Sequence, residues 1–298
     1  MFNVRIKRYL NTEQIQIFTE PLLSSGSERE DKRKFSYETG EIFPTNSIKW
    51  FNYFDEEQVD KSFEWNGKVY NQTFNHVPDA WVRRMGDPIE NMKRSVRRSK
   101  NMIYDVAKSN DWNWFFTLTF NPNKVDSFDY DITTTKLSNW LKYMRKKCPN
   151  MKYLVVPELH ESGRWHFHGL FANVENMKFV DSDKRDKKGR IIYNVDSYKL
   201  GFSTATQIED LEKACSYIAK YITFDLCSLT KGKKRYWTSR NVDMPIVEEY
   251  LTSLNNAELK RVMKEADYKK TCYSEYCDVT YLELPIYTTN TRRLVTSD

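Results

Sequence analysis

The segment Glu158-Leu159-His160-Glu161-Ser162-Gly163-Arg164-Trp165-His166-Phe167-His168 concentrates side chains that bind metal ions. Three of the chain's four histidines (His160, His166, His168) fall within nine residues. His166 and His168 are one residue apart in an aromatic and aliphatic run, so on a strand both imidazoles point to one face. Ser162-Gly163 marks a turn, and a hairpin through it returns Glu158 beside the rings. Two imidazoles, one carboxylate and open coordination positions suit a divalent ion that still admits a substrate oxygen. His160 is an alternative third ligand, or a group that orients one. A His-x-His pair can equally be structural, its rings satisfied by backbone carbonyls.

A second reactive set follows about fifty residues later, in Tyr217-Ile218-Ala219-Lys220-Tyr221. On a helix the two phenols lie one turn apart and share a face. Lys220 adjoins Tyr221 and follows Tyr217 by three residues, near enough to bias both phenol oxygens. A phenol with a pKa near 10 is a weak nucleophile at neutral pH, and a nearby cation with a metal-polarised electrophile makes its attack feasible. Taken alone, such a tyrosine pair is ordinary helix packing. Its position after the histidine cluster gives it weight.

Elements that must hold these groups can be read around them. Alternation over residues 4–10 and 14–22, about Asn11-Thr12-Glu13, predicts a β-hairpin. Residues 24–34 are polar and predict a mobile stretch, and the aromatics between Phe35 and Phe74 predict some packing without a readable pattern. Ile89, Met92, Val96, Ile103 and Ala107 predict one helix from Pro88 to Ala107 with a basic face. Trp112 to Phe120 predicts a buried strand. Leu137, Trp140, Leu141 and Met144 mark a helix ending near Lys147. Tyr153–Pro157 and Trp165–Asn173 are paired strands, residues 181–190 a charged loop or hairpin tip, and Tyr198–Ala205 a further strand. The apolar stripe from Ile208 to Ile222 predicts a helix over Gln207–Thr223. The tail predicts a helix from Val247 to about Ala266 and a strand over Val279–Leu284.

At 298 residues the chain can bury a sizeable core. Its net charge of +6 is compatible with a polyanionic partner, and the basic residues are clustered. Arg94, Arg97, Arg98 and Lys100 lie in one run, and Lys233, Lys234 and Arg235 in another. Either run is a candidate phosphate contact or a solvated face. The five cysteines have no paired spacing, which argues against a zinc knuckle and suits a reducing compartment. No apolar run approaches the roughly 18 residues of a membrane span, and the first residues alternate like a strand and not like a signal peptide. The reading is a soluble protein of the cell interior, with no membrane partner.

In order along the chain, Phe116-Thr117-Leu118-Thr119-Phe120, Glu158 with His166-Phe167-His168, and Tyr217-Ile218-Ala219-Lys220-Tyr221 resemble three motifs. These are the motifs of the HUH-type rolling-circle replication initiators of small plasmids and single-stranded DNA phages, in their two-tyrosine form. The arginine-rich helix before Asn110 and the Tyr236–Arg240 segment fit as well, and the resemblance covers roughly residues 90–240. One departure is Phe224, where relatives often carry a second lysine after the second tyrosine.

The resemblance implies an α+β fold with a central antiparallel β-sheet flanked by helices. Residues 88–242 would form the HUH endonuclease core, 1–87 an N-terminal extension and 243–298 a C-terminal helical and strand extension. It implies Mg²⁺ or Mn²⁺ on His166, His168 and Glu158, with Tyr217, Tyr221 and Lys220 as catalytic residues. Tyr217 would attack first and leave a 5′-phosphotyrosine with a free 3′-OH, and Tyr221 would cut the regenerated junction. The implied partners are single-stranded or hairpin origin DNA and the helicase, DNA polymerase and single-strand binding protein of a bacterial host, in its cytoplasm. The 298 residues contain no G-x-x-x-x-G-K-[ST] nucleotide-binding loop. A relaxase or transposase of the same chemistry, and a non-catalytic sequence-specific DNA-binding protein with a structural metal site, are the competing readings.

Overall fold

The structure is a computed structural model of the chain, describing residues 1–22, 58–65, 68–75, 88–254, 257–273 and 277–286. It divides into two compact units, one of Met1–Ser24 with Met92–Asp298 and one of Ser25–Asn91. In the smaller unit, Gln58–Trp65 (β3) and Lys68–Asn75 (β4) pair antiparallel from Gln58↔Asn75 to Trp65↔Lys68. The mobile stretch predicted at 24–34 lies outside the described residues.

In the larger unit, a seven-stranded antiparallel sheet carries the chemistry, in the order β11-β6-β7-β5-β10-β9-β8. Its central strands are Trp114–Leu118 (β5), Lys152–Leu159 (β6) and Trp165–Ala172 (β7). Phe179–Arg185 (β8), Ile191–Val195 (β9), Ser203–Gln207 (β10) and Trp237–Thr238 (β11) complete it. The α+β architecture with an antiparallel sheet matches the expectation. The charged 181–190 segment is not a free loop, because β8 runs to Arg185 and only the tip projects. The strand expected at Tyr198–Ala205 forms later, at Ser203–Gln207, where it pairs with β5.

The two faces of this sheet follow from strand alternation. Phe116, Phe167 and Phe171 lie on one face with Val155, as the pairs Phe116↔Gly169, Val155↔Gly169 and Leu118↔Phe167 require. Helix α2 (Tyr130–Lys147) covers that face through Leu137, Trp140, Leu141 and Met144. Phe116 stacks on Phe171 at 4.2 Å and Trp140 meets Phe171 edge-on at 6.3 Å. Fully burying each such side chain contributes about 1.5–3 kcal/mol, so this face supplies much of the stability. Packing is close enough that a Cβ on Gly169 would sit 2.6 Å from the Phe171 ring. Helix α2 begins seven residues earlier than its apolar stripe suggests, because Asp129 caps it by accepting from the Ile132 N–H.

A five-stranded sheet joins the two ends of the chain, in the order β12-β1-β2-β14-β13. The predicted hairpin is Phe2–Arg8 (β1) and Thr12–Leu22 (β2). Its partners are Ile246–Tyr250 (β12), Tyr268–Cys272 (β13) and Val279–Pro285 (β14). The helix expected from Val247 is therefore corrected. Residues 246–250 are a strand, and only Ala257–Glu265 (α5) is helical. The reason is tertiary: β12 pairs with β1, and Glu249 accepts a 2.7 Å hydrogen bond from Arg5 across the ladder. Leu259 and Val262 of α5 close an apolar core with Val4, Ile6, Ile15, Leu282 and Leu284.

Helix α1 (Pro88–Lys108) fastens this accessory sheet to the site. Lys7 and Tyr9 of the hairpin reach Asp105 at 2.7 and 2.8 Å, and Tyr104 donates to Glu283 at 2.7 Å. Lys108 is buried and pairs with Glu283 at 3.4 Å and with Glu212 at 3.1 Å. Glu212 lies in the first turn of helix α3 (Leu211–Ile218), which carries Tyr217. Among the described residues no helix is long and apolar enough to cross a membrane.

Candidate active site

The hairpin of β6 and β7 sets Glu158 directly opposite His166 and places His168 opposite Val156. His160 to Gly163 form its turn: His160 N–H donates to Arg164 O, and Gly163 N–H to His160 O. Gly163 has φ +77, a left-handed conformation that favours glycine. On the other flank β5 pairs Thr117 with His168. Glu158, His166, His168 and Thr117 thus share the face opposite the aromatic core.

His168 is buried, and its Nε2 lies 2.6 Å from Glu158 Oε2. An ionised carboxylate can only accept, so Nε2 carries the proton and the Thr117 hydroxyl donates to Nδ1 at 3.1 Å. The His168 N–H holds the Glu158 carboxyl below the usual carboxylate range, against partial burial that pushes it up. Burial lowers the His166 imidazole from its ordinary value, with His160 adding to the shift. A neutral ring is the form that ligates metals. His166 stacks on His160 at 4.9 Å, and His160 Nδ1 accepts from Ser162 N–H at 3.2 Å.

As the side chains stand, no group of three His, Cys, Asp or Glu among the described residues is arranged to hold an ion. The donors nevertheless fit one. Two oxygen or nitrogen ligands at right angles on an Mg²⁺-sized ion are about 3 Å apart, given bonds of about 2.1 Å. The Glu158–His168 pair would open by a few tenths of an ångström from its 2.6 Å contact. Thr117 can turn from donor to acceptor, which lets the His168 proton move from Nε2 to Nδ1 and frees Nε2 for a metal. Rotation of His166 from its stack on His160 would supply the third ligand.

The tyrosines reach this face from above. Asp210 caps α3 by accepting from Lys213 N–H at 3.0 Å, and Cys215 and Ile218 point into the core. The predicted Gln207–Thr223 helix is shorter than expected. It stops at Ile218, Ala219–Tyr221 tighten into a 3₁₀ turn, and Thr223 caps a new helix α4 (Phe224–Leu229). The apolar spacing of Ile218, Ile222 and Leu226 runs through the break because all three are buried, so periodicity hides it. Tyr221 stacks flat on His168, centroids 4.0 Å apart with planes 6° from parallel. Tyr217 meets Tyr221 edge-on at 5.4 Å and Phe115 at 5.6 Å. Lys220 Nζ lies 5.4 Å from the centre of the Tyr217 ring. Burial pushes the Tyr221 phenol above its ordinary value, with Tyr217 and Glu158 adding to the effect. Tyr217 is 46% exposed.

This is the convergence that the motif order implies: residues about fifty positions apart in sequence meet in van der Waals contact. Residues 113–225 match the family model of the replication-associated protein ORF2. No curated protein and no solved structure matches the chain. The replication-associated match starts just before β5 and ends in α4. It encloses Thr117, Glu158, His166, His168, Tyr217, Lys220 and Tyr221. The accessory sheet and both basic runs lie outside it.

Those basic runs come together. Arg235 donates to Ser95 at 2.6 Å, to Cys227 O at 3.0 Å and to Thr230 at 3.3 Å. It is half-buried and ties the 231–235 loop to α1 instead of facing solvent. Arg94, Arg97, Arg98 and Lys100 are exposed on α1 beside it, with Lys233 and Lys234 on the loop. Lys233 pairs with Asp131 at 2.6 Å, and Lys234 lies over the Trp237 ring. Sequence reasoning placed Thr117 in a motif without a role. The alternation Phe116-Thr117-Leu118 already put it on the face opposite the core.

Proposed function

We propose that the chain is a replication initiator that nicks and rejoins single-stranded origin DNA by metal-dependent transesterification, which starts rolling-circle replication. The observation that carries this reading is the stack of Tyr221 on His168, itself bonded to Glu158, with Tyr217 against Tyr221. Nucleophile candidates and metal-ligand candidates therefore form one site. The match to a replication-associated family over 113–225 supports the biological role.

His166, His168 and Glu158 would hold Mg²⁺ or Mn²⁺, which supplies charge stabilisation for a phosphodiester passing through its transition state. Thr117 keeps the His168 ring oriented through Nδ1. Tyr217 takes the first attack, because it is half exposed with the Lys220 ammonium over its ring, whereas burial makes Tyr221 hold its proton. Its Oη forms the new P–O bond, the P–O3′ bond breaks, and the proton lost by the phenol is balanced by the one the 3′-oxygen gains. The product is a 5′-phosphotyrosine and a free 3′-OH that a polymerase can extend. Tyr221 serves the second cleavage, and the released 3′-OH closes the circle by attack on the first phosphotyrosine. The number of ester bonds is conserved, so joining needs no ATP. Arg94, Arg97, Arg98, Lys100, Lys233 and Lys234 hold flanking phosphates, and Arg235 positions their loop. Unwinding and synthesis fall to a helicase, polymerase and single-strand binding protein of the host.

Incubation with labelled origin-type single strands and Mn²⁺ tests the proposal. The expected product is a covalent adduct that survives SDS and fails to form in EDTA. Tyr217→Phe is expected to remove the first-strand adduct, and the double variant with Tyr221→Phe all of it. An adduct that persists in the double variant sinks the tyrosine mechanism. Binding without any adduct leaves the DNA-binding protein with a structural metal site.

A further inference from the structure

A cavity of about 620 Å³ opens on the side of Tyr217 away from His168. Phe115 and Tyr217 form one wall, the end of β10 the floor, and the β8–β9 hairpin contributes Lys188 and Arg190. The register explains the floor, because Thr206 pairs with Phe115 and so lies on the same sheet face as the metal-ligand candidates.

The charges lining this cavity are already compensated. Lys188 and Arg190 both reach Glu209, at 3.5 and 3.1 Å, and Lys213 pairs with Asp210 at 2.6 Å. Glu212 turns to Lys108 at 3.1 Å. A phosphate backbone laid through the cavity would have to displace a carboxylate from each cation it met, losing the counter-charge gain that drives such contacts. A flat, uncharged group with hydrogen-bonding edges meets no such obstacle. The aromatic wall suits its face. Thr206, Gln207 and Ser216 line the same space, and their side chains have no hydrogen-bond partner among the described residues. Lys220 also lines it and has no carboxylate partner among the described residues, which leaves it for the adjoining phosphate.

We propose that this cavity is a nucleobase subsite. It takes one unpaired base flanking the cleaved linkage, against the Phe115–Tyr217 wall, with Gln207 and Ser216 reading its edge. The inference rests on the reading of the chain as a protein that works on single-stranded DNA, and adds where it recognises sequence. Base identity next to the nick is set here, and the basic patch on α1 and the 231–235 loop contributes sequence-independent affinity.

The test uses the full chain and the tightest-binding strand recovered from a randomised single-stranded pool. One abasic site is moved stepwise along that strand, and affinity is read by fluorescence anisotropy without added metal. One position beside the cleaved linkage is expected to cost about tenfold in affinity. In a Gln207→Ala, Ser216→Ala variant, shown to be folded by its melting curve, that penalty falls to about twofold. Gln207→Glu, which replaces a donor-acceptor edge with acceptors only, is expected to change the preferred base at that position and no other. A flat abasic profile, or one that both variants leave unchanged, overturns the subsite. Adduct formation with a flat profile removes the subsite and leaves the nuclease. A peaked profile that Gln207 controls, with no adduct in any divalent metal, leaves the subsite and removes the transesterification.

Discussion

The two faces of the seven-stranded sheet are built from the same strands and solve opposite problems. On the α2 side, Phe116, Phe167 and Phe171 are fully buried among apolar neighbours. On the other, Glu158, His166, His168 and Thr117 are polar, and a short helix with a 3₁₀ end covers them only in part. A strand's alternation lets one residue step separate the two: Phe167 points to the dry side, and His166 and His168 to the wet one. The lesson is that rigidity and reactivity are supplied by adjacent residues on one backbone. A stiff aromatic layer fixes the strands, so that the groups on the far face are held in place while their own surroundings stay open.

Substitutions on the two faces should therefore separate stability from chemistry. Phe171→Ala is expected to lower unfolding stability by about 3–5 kcal/mol, measured by urea titration, while the fraction still folded forms adduct at the normal rate. A folded but inert Phe171→Ala protein would break the division. His168→Ala is expected to slow adduct formation by about 10²–10³-fold with a stability change of about 1 kcal/mol. Normal nicking in that variant would remove the metal site from the mechanism. Thr117→Val keeps the shape of the side chain and deletes the hydroxyl at His168 Nδ1, so Mn²⁺ affinity should fall about 10–100-fold. Rates at saturating metal should recover, and an unchanged metal titration would assign Thr117 to packing alone. Smallest is the change in the basic patch, where Lys233→Ala with Lys234→Ala should flatten the salt slope of binding by about 1 per lysine. A slope equal to that of the unaltered protein would place both lysines off the DNA path.

The site was legible to the extent that its parts are local. His166 and His168 lie on one strand two residues apart, and the turn at Ser162-Gly163 brings Glu158 back within a hairpin, so short-range geometry fixes them. The tyrosine segment was legible as helix, but its true ends were not. Buried Ile218, Ile222 and Leu226 keep helical spacing across a break that Asp210 and Thr223 mark only through their capping bonds. Residues 246–250 show the converse failure. They read as the start of a helix until pairing with β1, more than 230 residues away, makes them a strand. Arg235 looked like one more phosphate contact in a basic run, and its three hydrogen bonds make it a strut.

The sequence by itself determined which residues carry chemistry and on which strand face the imidazoles lie, because residue type and a two-residue period are properties of the chain alone. Only the tertiary structure decided that Tyr221 rests on His168, that Thr117 holds the same ring, and that the two basic runs share one patch. Each of these is a contact between residues far apart in the chain, set by how sheet and helices pack, and no local periodicity encodes it.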